Sequence, residues 1–438
     1  MNVKDFVILL SFLTSVTSCG RATSDIAKQL SGDDVQPPNE VRLTGTLATN
    51  FGSSGIVSTG LGTDFDSGQR AIIDSDGSIF VGGTSFNFAT FTTDLVLWKF
   101  SPDGTLDTSF GEGTGRVTHH LKNETVYDMA IDSSGNIILV GETNHLNTLK
   151  DLAIWKLTPT GALDTSFGSG NGYVIHSNAA GAGIDGIDIG FAVAIDSSDN
   201  IIVSGVSNFE AATWKYTPSG NLHPTFAGGQ GYFTSATGYI CHDIVLDSSD
   251  SIYVATSQSS ELAVWKLDSD GVFDSTFDGD GVFLFSGSNN SLSLTLDSNE
   301  NIIVVGTDSP DIVILKLTLS GELDTSFAGG LGYVNSSGTE SGTPSQVLLD
   351  ANGDIIILGK HNNGSDDDAI IWKYTSTGQP DSTFASGNAY TKFNNISGGS
   401  GSNDEFLGGV ISSEGALFST GKSFAGGTDD DMILIKLE

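Results

Sequence analysis

The chain has 438 residues, and its 18 basic against 53 acidic residues give a formal net charge of −35. This charge argues strongly against a nucleic-acid backbone as the partner, because phosphate binding requires a positive field. It also argues against adsorption of the folded part to an anionic lipid surface. Glycine is abundant, with 56 residues, and no long segment shows helical periodicity. The composition therefore favours short strands joined by turns.

The first predicted element is a processing signal. In MNVKDFVILLSFLTSVTSCG a lysine precedes a short apolar run, and VTSC follows. This order resembles a bacterial lipobox, in which Cys19 is the lipidated residue. We expect residues 1–18 to be a signal peptide and the polar residues 19–42 to be a tether. Gly20 favours an outer-membrane lipoprotein of the cell envelope, periplasmic or surface-exposed, with the lipid as its only membrane contact.

From residue 43 onward the chain repeats one unit. Seven copies of an apolar strand, a polar turn and a second β-branched strand, as in MAIDSSGNIILVG and LTLDSNENIIVVG, indicate hairpins. A third strand carries a lysine five positions after an acid. Because residues five apart on a strand face opposite sides, we expect each lysine to pair with neighbouring strands in a structural role. The lysines are Lys99, Lys156, Lys215, Lys266, Lys316, Lys373 and Lys436, and the acids are Asp94, Asp151, Glu210, Glu261, Asp311, Asp368 and Asp431.

A recurring phrase, LDTSFG, leads from the third strand into a fourth, such as GRVTH or GYVIH. Four short antiparallel strands, repeated at roughly 50 to 64 residues, are typical of a propeller blade. The seventh unit stops after its third strand, and its missing part appears as GTLATNFGSSGIVSTG over residues 45–60. The sequence therefore predicts an all-β fold over residues 43–438, a seven-bladed β-propeller closed by the N-terminal strand, which completes the last blade.

The LDTSFG phrase, the DSSGNIILVG hairpin and the WKL strand together resemble the delta-60 repeat family of bacterial surface and secreted proteins. The resemblance covers residues 43–438 and implies a β-propeller. Its weakest matches are the copy with His223 and Pro224, the last hairpin with Ser412, and Ala48 in the split copy. The resemblance implies no catalytic residues.

Loop lengths differ between the two faces of the predicted propeller. The turn within each hairpin has the same length in all copies. The connections from the second to the third strand, and from the fourth strand to the next blade, vary in length. In an up-and-down blade these variable connections lie on one face, which we call the loop face. We expect function there, because binding residues usually lie on variable loops held by a rigid scaffold.

Two candidate sites fall on this face. The first surrounds the entry to the first strand of each blade, at the mouth of the central channel. Its carboxylates, arginine and histidine can bind a polar ligand or perform acid–base chemistry, although a merely polar channel rim is the simpler explanation. It comprises Arg70, Tyr127, Asp128, His242, Asp243 and Gln346.

The second candidate site consists of the acidic loops of the sixth and seventh blades, near Asp404 and Glu405. Clustered oxygens can hold Ca²⁺, whereas solvated loop charge is the simpler explanation. The proposed ligands are Asp366, Asp367, Asp429 and Asp430.

Sequence motifs for catalysis are absent: we find no H-E-x-x-H, G-x-S-x-G, P-loop or dinucleotide fingerprint. The adjacent His119 and His120 do not have the spacing of a metal site. Cys241 is the only cysteine besides Cys19, which excludes a disulfide framework and a cysteine-based zinc site.

We therefore predict a monomeric binding or interaction module for a protein or glycan, without a cofactor other than Ca²⁺. An envelope glycan hydrolase or lyase that uses Asp128, Asp243 and Arg70 is one alternative. A calcium-dependent adhesion protein is the other.

Overall fold

The structure is a computed structural model that describes residues 42–61, 65–144, 150–181, 186–237, 239–258, 261–286, 290–336, 341–398, 403–424 and 430–438. Arg42–Glu438 forms one compact unit. Regular structure in the described ranges is almost entirely strand, with short 3₁₀ helices at Gly111–Gly113, Gly168–Gly170, Phe226–Gly229, Ala328–Gly330 and Phe384–Gly387. Across those ranges, no helix has the length and apolar character that a membrane span requires.

The strands form seven four-stranded antiparallel sheets, one for each blade. In chain order they begin with β1 (Ile56–Thr59). Blade 1 follows with β2 (Phe65–Ile73), β3 (Ile79–Asn87), β4 (Thr92–Phe100) and β5 (Arg116–His119). Blade 2 has β6 (Glu124–Ile131), β7 (Ile137–Thr143), β8 (Asp151–Leu157) and β9 (Tyr173–His176). Blade 3 has β10 (Asp188–Ile195), β11 (Ile201–Ser207), β12 (Glu210–Tyr216) and β13 (Tyr232–Thr237).

Blade 4 has β14 (Ile240–Leu246), β15 (Ile252–Gln258), β16 (Glu261–Leu267) and β17 (Val282–Ser286). Blade 5 has β18 (Asn290–Leu296), β19 (Ile302–Asp308), β20 (Asp311–Leu317) and β21 (Tyr333–Asn335). Blade 6 has β22 (Thr343–Leu349), β23 (Ile355–Asn362), β24 (Asp367–Tyr374) and β25 (Tyr390–Phe393). Blade 7 has β26 (Asp404–Ile411), β27 (Leu417–Phe424) and β28 (Asp430–Leu437), and β1 is its fourth strand.

The two middle strands of a blade are covered on both sides by the neighbouring blades. In blade 2, every residue of β7 and β8 is buried, which explains the nearly continuous apolar sequence of these strands. The first strand of each blade contacts the first strands of both neighbouring blades, including β2 with β26. These seven strands therefore form a closed inner ring around the axis.

The ring is closed as the sequence predicts. β1 pairs antiparallel with β28, with Ile56 opposite Ile435 and Thr59 opposite Met432. The N–H of Thr44 donates to the carbonyl of Glu438 (2.7 Å). β28 therefore has a partner and does not present an open sheet edge, which confirms the seven-bladed propeller.

The LDTSF phrase joins each blade to the next. Phe110 of blade 1 is 3% exposed and packs edge-to-face on Phe80 at 5.7 Å. Its ring lies against Gly161, in the turn between β8 and β9 of blade 2. The backbone follows the same route at the next junction, where the N–H of Gly168 donates to Ser219 of blade 3 (3.0 Å). The phrase recurs because every junction needs this contact.

The repeated lysines are also structural. The ammonium groups of Lys156, Lys215, Lys316 and Lys373 pair with the aspartate of the hairpin turn, at 2.9 Å for Lys156 and Asp132 and 2.8 Å for Lys316 and Asp297. Lys99 and Lys266 pair instead with the aspartate of the recurring phrase that follows the third strand. The turns themselves touch across blades, since the N–H of Ser133 donates to the carboxylate of the following blade's turn (2.9 Å). The face that carries the hairpin turns is thus occupied by repeated structural contacts.

Candidate functional site

The predicted axial residues lie on the innermost strands, and each of these strands contains a β-bulge. The bulge inserts one extra residue, which is Tyr127 in blade 2 and His242 in blade 4. Asp128, which follows the bulge, is the fifth of the eight residues of β6. The structure therefore places this position midway along the innermost strand, whereas the sequence analysis placed it at the entry.

Arg70 of blade 1 pairs with Asp128 of blade 2, and Asp243 of blade 4 lies within the electrostatic reach of both. The Arg70 Nε donates to Asp128 Oδ1 at 2.9 Å, and its Nη1 donates to the carbonyl of Leu407 at 2.9 Å. Burial raises the pKa of Asp243, and the field of Asp128 adds to this effect while that of Arg70 opposes it. These three charged groups thus interact across blades.

Their oxygens are nevertheless engaged by the protein itself. Asp128 Oδ2 accepts the N–H of Val193 in blade 3 at 2.9 Å. Asp243 Oδ2 accepts the Ser293 hydroxyl at 2.6 Å and the N–H of Leu294 at 3.1 Å, both from blade 5. Each carboxylate therefore ties the inner strand of its own blade to that of the next, which favours a structural role over acid–base chemistry.

Gln346 performs the same function in blade 6. Its Oε1 accepts the N–H of Gly409 in blade 7 at 2.7 Å. Ser293, at the equivalent position of blade 5, accepts the N–H of Val347 at 3.1 Å. The candidate residues on the first strands thus connect neighbouring blades, and different blades use different polar side chains for this contact.

Tyr127 and His242, the two predicted site residues that lie at β-bulges, are half-buried. The ring of Tyr127 packs edge-to-face on Phe191 at 5.3 Å, and burial together with Glu142 raises the pKa of its hydroxyl. His242 Nε2 lies 2.7 Å from the Ser257 hydroxyl, and burial lowers its pKa to about 4. At neutral pH His242 is therefore a neutral ring at the bulge of β14.

The acidic loops are partly neutralised by lysines. Asp367 and Glu405 both pair with Lys360, at 3.3 and 3.4 Å. Asp366 accepts a hydrogen bond from the side chain of Asn363, and Asp430 begins β28. Asp429 and Cys19 lie outside the described residues, so the calcium and lipid sites stay predictions of the sequence.

Sequence reasoning missed an aromatic patch on the loop face of blade 1. Phe65, Phe86, Phe88 and Phe91 form a cluster, with centroids 4.9 Å apart for Phe65 and Phe88 and 5.0 Å apart for Phe86 and Phe88. Phe88 is 37% exposed and Phe91 is 75% exposed. The signal in the sequence is FNFATF, three aromatic residues in and beside a loop where polar residues are usual. We call these four residues the aromatic patch.

Comparison with known proteins supports the fold. A family model described as a domain of unknown function (DUF5122) beta-propeller matches residues 75–110, 133–167 and 298–327, less than half of the chain. Each matched segment begins just after the first residue of a hairpin turn and ends on the phenylalanine of the LDTSF phrase. No curated protein matches the sequence.

Solved structures that match this chain are distant from it in sequence. A catalytically inactive virginiamycin B lyase from Staphylococcus aureus, solved with quinupristin, is 12% identical with a TM-score of 0.50, covering 87% of this chain and 98% of that one. The polysaccharide lyase Uly1 is 9% identical with a TM-score of 0.47, covering 92% of this chain and 94% of that one. At 12% identity the likeness to the virginiamycin B lyase shows the fold alone.

Proposed function

We propose that the protein is an interaction module that binds a protein partner on its loop face, through the aromatic patch of blade 1. The observation that carries this proposal is the exposure of Phe91, 75% of whose surface is open to solvent. Exposed apolar groups that form a contiguous cluster mark interaction surfaces, whereas single exposed residues do not. Aromatic side chains are also the residues most enriched at protein interfaces.

The backbone at Phe91 strengthens the argument. Its φ is +56°, in the left-handed region that bulky residues rarely adopt. Asparagine or glycine is the usual choice there, since other residues lose roughly 1–2 kcal/mol. A phenylalanine that is both strained and exposed does not serve the stability of the free protein. Its conformation is consistent with a role in binding.

The negative charge of the chain indicates the charge of the expected partner. With a net charge of −35, the protein attracts basic surfaces over long distances and repels acidic ones. We therefore expect the partner to present an apolar area bordered by lysine and arginine. The predicted lipid anchor at Cys19 would present this module in the cell envelope.

The substitution Phe91→Asn tests the proposal, because asparagine suits a positive φ and removes the ring. We expect the thermal stability to be unchanged or slightly higher. The matched control is Phe209→Asn, since Phe209 is also exposed and at positive φ (+65°), but belongs to blade 3. The measurement is capture of envelope proteins on immobilised wild-type and variant chains, followed by mass spectrometry and direct affinity measurement.

A basic protein that binds the wild type and Phe209→Asn, and binds Phe91→Asn at least about ten-fold more weakly, supports the proposal. Equal binding to all three chains shows that the patch is not the binding surface. A glycan panel is tested in parallel. Binding of a glycan that depends on Phe91 would replace the protein partner by a carbohydrate.

A further inference from the structure

Three side chains of the types that bind metals meet on the loop face, at the junction of blades 1 and 2. Asp94 lies near the start of β4, His120 follows β5, and Glu124 is the first residue of β6. One ligand atom from each lies within 4.8 Å of the other two. His120 Nδ1 is 2.5 Å from Asp94 Oδ1 and 3.9 Å from Glu124 Oε2. In the described ranges this is the one such group of three or more.

Glu124 provides an independent indication of a missing partner. Its side chain is fully buried (0% exposed). Its Oε1 accepts the N–H of Lys122 at 2.5 Å and the Thr143 hydroxyl at 3.3 Å. Its Oε2 has no hydrogen-bond partner among the described residues, and it faces His120. A buried carboxylate oxygen without a partner is costly, and a bound cation is one way to remove that cost.

We propose that Asp94, His120 and Glu124 bind a divalent transition-metal ion, and that zinc fits best. An imidazole nitrogen with carboxylate oxygens is a typical donor set for zinc, whereas calcium takes six to eight oxygens. Three protein ligands leave at least one position for water or an external group. His120 is half exposed, so the ion is reachable from solvent.

Comparison of the blade junctions shows that the histidine is an addition to the repeat. Strand pairing places His119 opposite Leu95, so His120 is next to Asp94. At three of the six other junctions the equivalent trios are Asp151, Ser177 and Asp188; Asp368, Asn394 and Asp404; and Asp431, Gly60 and Asp66. Each has the two acids, and none has a histidine. At the remaining three junctions the sequence has no acid at the position of Glu124. Four of the seven junctions thus have two acids, and one of these four adds a histidine.

The ion would connect two loops that are separate in the repeat. Asp94 lies three residues after Phe91, on the loop that carries the aromatic patch, whereas Glu124 belongs to the inner strand of blade 2. A metal bound to both would fix this loop against the next blade. The site stands on its own residues and does not depend on the proposed protein partner.

Isothermal titration of the metal-free full chain, without a polyhistidine tag, with ZnCl₂ tests the proposal. The variant is His120→Asn, because asparagine occupies the equivalent position at the junction of blades 6 and 7. The control is His223→Asn, in the turn between β12 and β13 on the opposite face. We expect one zinc ion per chain and unchanged binding in the control. In His120→Asn the affinity should fall by more than the roughly 10- to 100-fold that loss of an outer-shell partner costs.

Cobalt gives a second readout, since Co²⁺ in a protein site of low coordination number absorbs visible light. This absorption should appear in the wild type and disappear in His120→Asn and in Glu124→Gln, whose amide keeps the size of the carboxylate. Circular dichroism confirms that both variants are folded. Absence of zinc binding in the wild type, or equal affinity in His120→Asn, would overturn the proposal and leave the cluster an ion pair.

Discussion

Lys215 shows what the repeated charges do at the scale of one residue. Its side chain is 6% exposed and lies 3.0 Å from the carboxylate of Asp196, which is 4% exposed. The same ammonium donates to the carbonyl of Ser269 in blade 4 at 3.0 Å. One lysine therefore holds its own hairpin turn and the turn of the next blade. The sequence predicts a structural pairing from the spacing, but the identity of the partners depends on the folded blade.

We expect Lys215→Met to lower the free energy of unfolding by about 3 kcal/mol at neutral pH, because Asp196 would remain buried without its cation. Burial raises the pKa of Asp196, but the bonds from Asn200 and Lys215 outweigh it and hold the pKa below the ordinary value of 3.8. The stabilisation is therefore complete above that value and is lost as the pH falls through the folded-state pKa. The difference between wild type and variant should shrink in acid.

Urea unfolding at neutral pH and at about pH 3 measures both effects. The control is Lys392→Met, since Lys392 is exposed, and its stability should stay within about 0.5 kcal/mol of the wild type. Equal stability of Lys215→Met and wild type at neutral pH contradicts the structural role. A difference that persists unchanged in acid contradicts the pairing with Asp196.

At the scale of elements, the turn between the third and fourth strands of a blade is shaped by the neighbouring blade. Gly161 has a φ of +89°, and a Cβ there would lie 2.7 Å from the ring of Phe110 and 2.6 Å from Val117. Gly113 has a similar φ of +96°, but no atom lies within 4 Å of its Cβ position. Comparing the same substitution at these two glycines therefore distinguishes the cost of backbone strain from the cost of disturbing the contact between blades.

Gly113→Ala should lower the free energy of unfolding by roughly 1–2 kcal/mol, through the left-handed backbone alone. Gly161→Ala should lower it by about 1–3 kcal/mol more, because the methyl group displaces the ring of Phe110. Chemical denaturation of both variants gives the difference. If the two variants lose equal stability, the close contact between Phe110 and the turn at Gly161 does not contribute to stability.

The strands and their order follow from the sequence, but the bulges of the inner strands do not. A signal is present nonetheless, because most copies have a glycine late in the second strand. At Gly141 a Cβ would lie 1.8 Å from the carbonyl oxygen of Thr125, a close approach that the bulge imposes. Asp128 directly follows the bulge, and its carboxylate accepts the N–H of Val193 in the next blade.

The candidate sites differ in how well they can be predicted from the sequence. The axial residues could be aligned because each blade contributes the same position. The proposed metal ligands could not be found by such an alignment, since Asp94 and Glu124 are 30 positions apart and His120 follows another histidine. Successive residues of a strand face opposite sides, so His119 and His120 do not have the spacing of two ligands of one metal ion. Only the meeting of two blades places His120 between two carboxylates.

At the scale of the whole molecule, the ring depends on its first strand. Residues 42–60 supply β1 and Phe51, which is fully buried (0% exposed) and packs on Phe418 at 5.5 Å. Without them β28 has an open edge, and blade 7 loses the contact that Phe51 makes with Gly104 of blade 1. Closure is the feature that the sequence predicts best, since a repeat divided between the two ends of the chain can be completed only when those ends meet.

A chain that begins at residue 61 should therefore lose more stability than the roughly 3–5 kcal/mol that removal of one buried phenylalanine ring costs, and it should aggregate. A chain that begins at residue 42 should melt like the full-length protein, because Arg42–Glu438 is one compact unit. Calorimetry and light scattering on the three chains test this. Equal melting temperatures for the chains from 42 and from 61 would show that β1 is dispensable.

Thr46 and Glu438 meet inside a turn that the other blades build from continuous chain. The N–H of Glu438 donates to Thr46 at 3.0 Å, as that of Ser101 donates to Thr105 at 2.8 Å in blade 1. The propeller consequently has no intrinsic origin. Joining these ends and cutting another such turn yields a circular permutant with the same contacts.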